Sequence, residues 1–290
     1  MPKGGETLPN HSNVKKNLEK KLAQNGCLIA AHRGTNGGNI VQNTLSAYLN
    51  AIAHGADIIE MDVAMTADGQ FFCFHDGQEP LILRTEKNIK TMRAAELEKL
   101  YLINSANHHV SEKVNRLADV LPRLKGKNCF LNIDRSWPYW EEALKELDKY
   151  DMYDQMFAKT PAERPYLDVL KRSGSPLAYM PIVKTKAQLD MVLADCHNMV
   201  AVELVFKSDA DEIVSDESIR RIKDKGLLVW GNSIRLNDKK ILCALHDDDN
   251  AILNDPDSTW GWFLQRQFDI IQTDWPLLMK QYLSTKIEGE

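Results

Sequence analysis

No apolar run in this chain approaches the roughly 20 residues that a membrane-spanning helix needs, so no integral membrane segment is expected. Positive charge is not in excess. Lys and Arg number 36 against 41 Asp and Glu, and the formal net charge of −5 argues against a general nucleic-acid partner. A local concentration of cations could still hold an anionic phosphate. Cysteine is scarce and spaced unhelpfully for chemistry. Cys27, Cys73, Cys129, Cys196 and Cys243 form no CxxC pair, and most lie in apolar runs such as Phe71-Phe72-Cys73-Phe74. They read as small buried hydrophobes rather than zinc ligands. The stretch Thr35-Asn36-Gly37-Gly38 lacks the G-x-G-x-x-G spacing of a dinucleotide loop. Residues 1–24 are polar and lysine-rich with no apolar signal core, which leaves two compartments open: cytoplasm, or export with the signal already removed. Internal repeats, low-complexity tracts and proline-rich linkers are all missing, which favours one domain. Nothing speaks to oligomeric state.

What is present is the composition of a globular enzyme, 43 % hydrophobic and 27 % charged over 290 residues, and enough chain for one barrel of about 250 residues with additions. Short apolar runs alternate with longer amphipathic segments. The runs are 27–31, 57–64, 70–74, 129–133, 155–158, 177–183, 200–206, 227–230 and 269–272. Helical patterns lie between them at 44–54, 140–149, 162–172, 186–195, 216–225, 238–245 and 259–267, and a last helix begins near Pro276. Strand–helix alternation predicts a parallel sheet with helical crossovers. If 70–74 is a reversal belonging to the second strand, the count predicts an α/β fold of the (β/α)8 TIM-barrel class. The expected organisation is an N-terminal extension over 1–25 and a single barrel domain over 26–290. Residues 77–115 form a small insertion after the second strand, over the active-site face.

In such a barrel, chemistry sits at the C-terminal ends of the strands. The first run ends in His32-Arg33-Gly34, the reversal in His75-Asp76-Gly77 and the third strand in Asp134. Within Ile58-Ile59-Glu60-Met61-Asp62-Val63, Glu60 and Asp62 are two residues apart and share one face of a buried strand. Two buried like charges repel and lose hydration, so a cation between them or a pairing Lys or Arg is needed. Oxygen-only ligation suits a hard ion, one Mg²⁺ or Ca²⁺. His32 and His75 flank this strand, and a histidine pair can supply one acid and one base near neutrality. Arg33 offers a planar fork of donors suited to phosphate. Glu203, Trp137 and Trp230 are candidate pocket residues. His108 and His109, and the acidic run Asp247-Asp248-Asp249, read as solvated.

Several motifs run in register with a known family. They are Ala31-His32-Arg33-Gly34, Asn43-Thr44-Leu45-Ser46-Ala47-Tyr48, Gly55 to Val63, Thr66-Ala67-Asp68-Gly69, Phe74-His75-Asp76 and, late in the chain, Gln272-Thr273-Asp274-Trp275-Pro276. The chain resembles the glycerophosphodiester phosphodiesterases, a branch of the phosphatidylinositol-phospholipase-C-like barrels. The resemblance implies a (β/α)8 barrel that hydrolyses a small-molecule phosphodiester with one divalent cation. It puts the catalytic histidines on His32 and His75 and the phosphate-binding arginine on Arg33. The metal ligands fall on Glu60, Asp62 and Asp134.

Three departures stand out. The usual Pro-Glu-Asn-Thr reads Val41-Gln42-Asn43-Thr44, the third ligand is Asp134 where Glu is usual, and the lysine two residues further on is Ser136. Lys159, ending the next strand, is expected to return the lost positive charge to the phosphate pocket. Two alternatives remain open: a phospholipase C- or D-like enzyme on another phosphodiester, and a catalytically inactive phosphodiester-binding barrel.

Overall fold

The computed structural model describes residues 12–195 and 198–287. Nine strands form one sheet: β1 (Leu28–Ala31), β2 (Ile58–Met65), β3 (Phe71–Cys73), β4 (Phe130–Asp134), β5 (Met156–Pro161), β6 (Ala178–Val183), β7 (Ala201–Leu204), β8 (Leu228–Asn232) and β9 (Ile270–Thr273). β3 turns back antiparallel on β2, with Val63 opposite Cys73. The other strands are parallel, and β1 pairs with both β2 and β9, which closes a (β/α)8 barrel.

The expected strand runs match these nine strands to within a residue or two at most ends. One helical expectation fails. Residues 238–245 are an irregular loop, and the helix there is Asp248–Leu253. The apolar residues of that loop serve a strand-like contact: Phe206 N donates to Leu242 O at 3.0 Å, and Ala244 and Leu245 have φ of 50° and 70°, which no helix permits. Sequence periodicity also missed the helices Ser12–Asn25 and Leu117–Leu124.

The first of these closes the floor of the barrel. Val14 and Leu18, one turn apart, are fully buried among residues that begin the strands, Leu28, Ile58, Ala201 and Ile270 among them. The lysines of this helix therefore cover its outer face, and its polar composition hides a short apolar stripe. At the opposite end, residues 77–115 wind through three short helical turns and pack a core of their own against the β2–β3 hairpin, with Phe72, Ile82, Leu97 and Leu102 inside it. Cys27, Cys73, Cys129 and Cys243 are buried free thiols, as expected; Cys196 lies outside the described residues. No described helix is long and apolar enough to cross a membrane.

Candidate active site

β2 carries Glu60 and Asp62 into the barrel, and β4 runs beside it with Asp62 in register with Asp134. One carboxylate oxygen from each of Glu60, Asp62 and Asp134 lies within 4.8 Å of the others. Glu60 and Asp62 are buried, at 1 % and 2 % exposure. Burial, and after it the charge of Asp62, push the Glu60 carboxyl well above its ordinary range. Burial works most strongly against the Asp134 charge, yet Lys159, a hydrogen bond with Glu60 and the Arg135 N–H together outweigh it and hold that carboxyl below the ordinary range.

The polypeptide around these carboxylates is shaped to serve them. Arg33 adopts φ 57°, and its backbone N then donates to Glu60 Oε2 at 2.9 Å. Its Nε lies 2.9 Å from Asp62 Oδ2, and its Nη1 donates to Gln42 at 3.3 Å. Gly34 follows at φ 74°, where a Cβ would stand 2.6 Å from the backbone of Ala47, so only glycine fits. Asn43, at φ 56°, grips Asp62 twice: Nδ2 donates to Oδ2 at 2.8 Å, and the Asp62 N–H donates to Oδ1 at 3.0 Å. Arg135 is the third such residue, at φ 57°, and its N–H donates to Asp134 Oδ1 at 2.6 Å. Each left-handed residue costs about 1 kcal/mol, and the cost recurs here because it points a backbone N–H or a side chain at a carboxylate.

Both histidines have Nδ1 engaged. His32 Nδ1 is 2.8 Å from Asp274 Oδ1, and His75 Nδ1 donates to its neighbour's carbonyl, Asp76 O, at 2.8 Å. Nε2 of each ring takes no part in these contacts. Burial lowers the His75 pKa from its ordinary value, helped by the Arg33 and Arg135 charges and opposed by Asp62.

Lys159 requires a revision. Its side chain is only 3 % exposed, and Nζ lies 2.9 Å from Asp134 Oδ2 and 3.1 Å from Glu203 Oε2. The ammonium is committed to two carboxylates rather than presented to a phosphate. Ser136, at the position where a lysine was expected, is buried with no partner for its hydroxyl. Glu203 points into the barrel, where Asn232 Nδ2 donates to it at 2.8 Å and Trp230 Nε1 donates to Asn232 at 3.0 Å. Trp230 itself is fully buried and fills the barrel interior beside Phe157. Trp137 is half-buried outside, with the Arg135 guanidinium 5.6 Å from its ring.

Three contributors escaped the sequence reading. Arg135 donates from Nε and Nη2 to Asp76 at 3.0 and 2.8 Å, and Lys90 of the insertion pairs with the same carboxylate. In the acidic run 247–249, Asp247 and Asp248 are buried, contrary to expectation, and Asp249 alone is exposed. Asp248 is buried, accepts from Trp260 Nε1, Thr273 Oγ1 and Asp274 N, and so holds the end of β9 that carries the His32 partner.

The donors suit a hard dication. Around the mouth stand four buried or nearly buried carboxylates, Glu60, Asp62, Asp134 and Glu203, against two cations, Arg33 and Lys159. The crowding of these carboxylates, and the elevated Glu60 carboxyl, are what a divalent ion would relieve.

Known proteins resemble this chain in sequence and in fold. The family model DUF4996, a domain of unknown function, matches residues 179–283. The glycerophosphodiester phosphodiesterase of Caldanaerobacter subterraneus subsp. tengcongensis is 29 % identical over 136 residues, 44 % of this chain and 56 % of that protein. That of Bacillus subtilis is 25 % identical over 228 residues, covering 72 % of this chain and 76 % of the relative. The chain is similar in sequence to glycerophosphodiester phosphodiesterases and shares their barrel fold. Among solved structures, an Oleispira antarctica phosphodiesterase in complex with the product sn-glycerol-3-phosphate superposes with a TM-score of 0.65 at 17 % identity, over 90 % of this chain and 96 % of that one. The match to the first of these relatives spans little more than half of that protein's length. The Lys159–Glu203 ion pair bridges β5 and β7 across the barrel interior.

Proposed function

We propose that this chain hydrolyses a glycerophosphodiester-type phosphodiester to an alcohol and glycerol phosphate, with one divalent cation, Mg²⁺ or Ca²⁺, held by Glu60, Asp62 and Asp134. The reading is carried by one observation: three carboxylates converge within 4.8 Å at the barrel mouth, between two histidines whose rings are each oriented through Nδ1. The names of the relatives support the substrate class, and the product bound by the Oleispira protein supports a glycerol phosphate end.

A cation held by Glu60, Asp62 and Asp134 would supply charge stabilisation to the phosphate and would lower the pKa of the attacking hydroxyl. Arg33 turns from its Asp62 and Gln42 contacts toward another phosphate oxygen. One imidazole Nε2 of the His32 and His75 pair takes the nucleophile's proton, and the other gives a proton to the leaving alkoxide. The nucleophile is water or a neighbouring substrate hydroxyl. Lys159 serves the phosphate through Asp134, which it holds in place. The substrate is a small molecule, and nucleic acid is not a partner.

The test is a panel of glycerophosphodiesters assayed with chelator, then with metal restored. Turnover that disappears with chelator and returns with Mg²⁺ or Ca²⁺ is expected. Full cation occupancy with no turnover of any diester would favour a binding barrel instead.

A further inference from the structure

Ten large hydrophobic side chains are exposed among the described residues, and four of them, Leu236, Trp275, Leu277 and Leu278, line one cavity. That cavity, about 790 Å³, opens directly from His32 and Arg33. Its walls combine polar groups, Gln42, Gln78 and Asn50, with the four apolar side chains, 36–51 % exposed, three of which follow Asp274, the partner of His32. A fifth exposed residue, Leu81 at 69 %, lines an adjoining cavity that shares Asn36 and Gln42 with the first.

Free glycerophosphodiesters are polar throughout and have nothing to place on such a wall. Exposed apolar surface gathered at the edge of a site marks a ligand with matching apolar surface. The Arg235 guanidinium on the same wall is no second anion site, because Asp247 Oδ2 stands 3.5 Å from it and Asp238 Oδ1 3.2 Å.

We infer that the substrate is a monoacyl glycerophosphodiester, whose single hydrocarbon chain lies along Leu236, Trp275, Leu277 and Leu278 while its phosphate sits at the three carboxylates. This rests on the diesterase reading above and narrows it. The reaction is unchanged: a P–O bond to the polar alcohol breaks, the oxygen of water bonds to phosphorus, and the alcohol leaves with a proton, giving acylglycerol phosphate. The cavity's volume is that of a site for one drug-sized ligand, about 300–1,000 Å³, which favours one chain over two.

The experiment measures choline release by the full chain with its cation. Substrates are glycerophosphocholine and its monoacyl derivatives with acyl chains of increasing length, kept below their critical micelle concentrations. Burying a methylene is worth up to about fourfold. We expect kcat/KM to rise at least about tenfold from no chain to the longest monomeric chain, mainly through KM. The double variant Leu236→Ser/Leu278→Ser should flatten that dependence, and Leu253→Ser, exposed elsewhere, should leave it intact. A flat or falling dependence in the wild type overturns the inference while leaving the diesterase reading standing. A rise that the double variant retains also overturns it, since the chain then lies elsewhere. No turnover of these substrates, nor of an aryl phosphodiester, removes both.

Discussion

At the scale of single residues, the site is a balance of charge that each partner holds only with the others. Replacing His32 or His75 by Ala should lower turnover on the order of 10²-fold or more, read as kcat on a saturating diester. Glu60→Gln separates binding from stability. The variant keeps an acceptor for the Arg33 N–H and removes a buried charge that Asp62 repels. Its cation affinity by calorimetry should fall by more than the roughly 10–100-fold that outer-shell changes cost, while its metal-free unfolding midpoint holds or rises. Loss of stability equal to the loss of affinity would refute this view of Glu60. Lys159→Met leaves Asp134 and Glu203 buried without their cation, at a cost of about 3–5 kcal/mol in urea unfolding under chelator. Added cation should restore part of that loss. Glu60 and Asp62 were legible because a strand's two-residue period puts them on one face. Asn43 and Arg135 were not, since what they do depends on a left-handed backbone that no local pattern of ordinary residues announces.

Whole elements show where periodicity works and where it misleads. Strands were legible since both faces of a barrel strand are buried and read as continuous apolar runs. The loop 238–245 carries a helix-like apolar spacing, but its backbone pairs instead with Phe206, whose N–H donates to Leu242 O and whose O accepts from Ala244 N. The helix Asp248–Leu253 shows the opposite failure: three consecutive acids suggest solvent, and only the fold brings Trp260 and Thr273 to Asp248. Burial, with the charge of Asp274, pushes the Asp248 carboxyl up to about 7 from its ordinary 3.8. The folded chain therefore keeps a proton between those values that the unfolded chain has released. Stability contributed by this group is fullest below about pH 4, declines as pH rises, and levels off above about 7. Asp248→Asn should flatten that decline relative to wild type in urea titrations across the same range. It should also cost about 1–3 kcal/mol, because an amide cannot accept from all three donors. An unchanged slope would show that the carboxyl titrates elsewhere.

On the scale of the molecule, the polar face and the floor of the barrel are stabilised by different means. Carboxylates, arginines and Lys159 crowd one end, and the helix Ser12–Asn25 seals the other with Val14 and Leu18. A chain shortened to begin at Asn25 should lose several degrees in Tm yet keep its cation affinity, because the helix touches only the floor; a loss of cation binding would argue for coupling between the ends. The barrel class was legible from the count of alternating runs, and the seal was not, since two apolar residues one turn apart vanish among lysines. The pairing of His32 with Asp274 has a consequence for biosynthesis. The histidine belongs to the first strand and its carboxylate follows the last, 242 residues later. A nascent chain that has left the ribosome only as far as Phe268 has Glu60, Asp62, Asp134 and both imidazoles, but lacks the strand end that fixes His32. Closure of the barrel and orientation of the His32 ring are thus one event, and a partly synthesised chain holds that imidazole unpaired with Asp274.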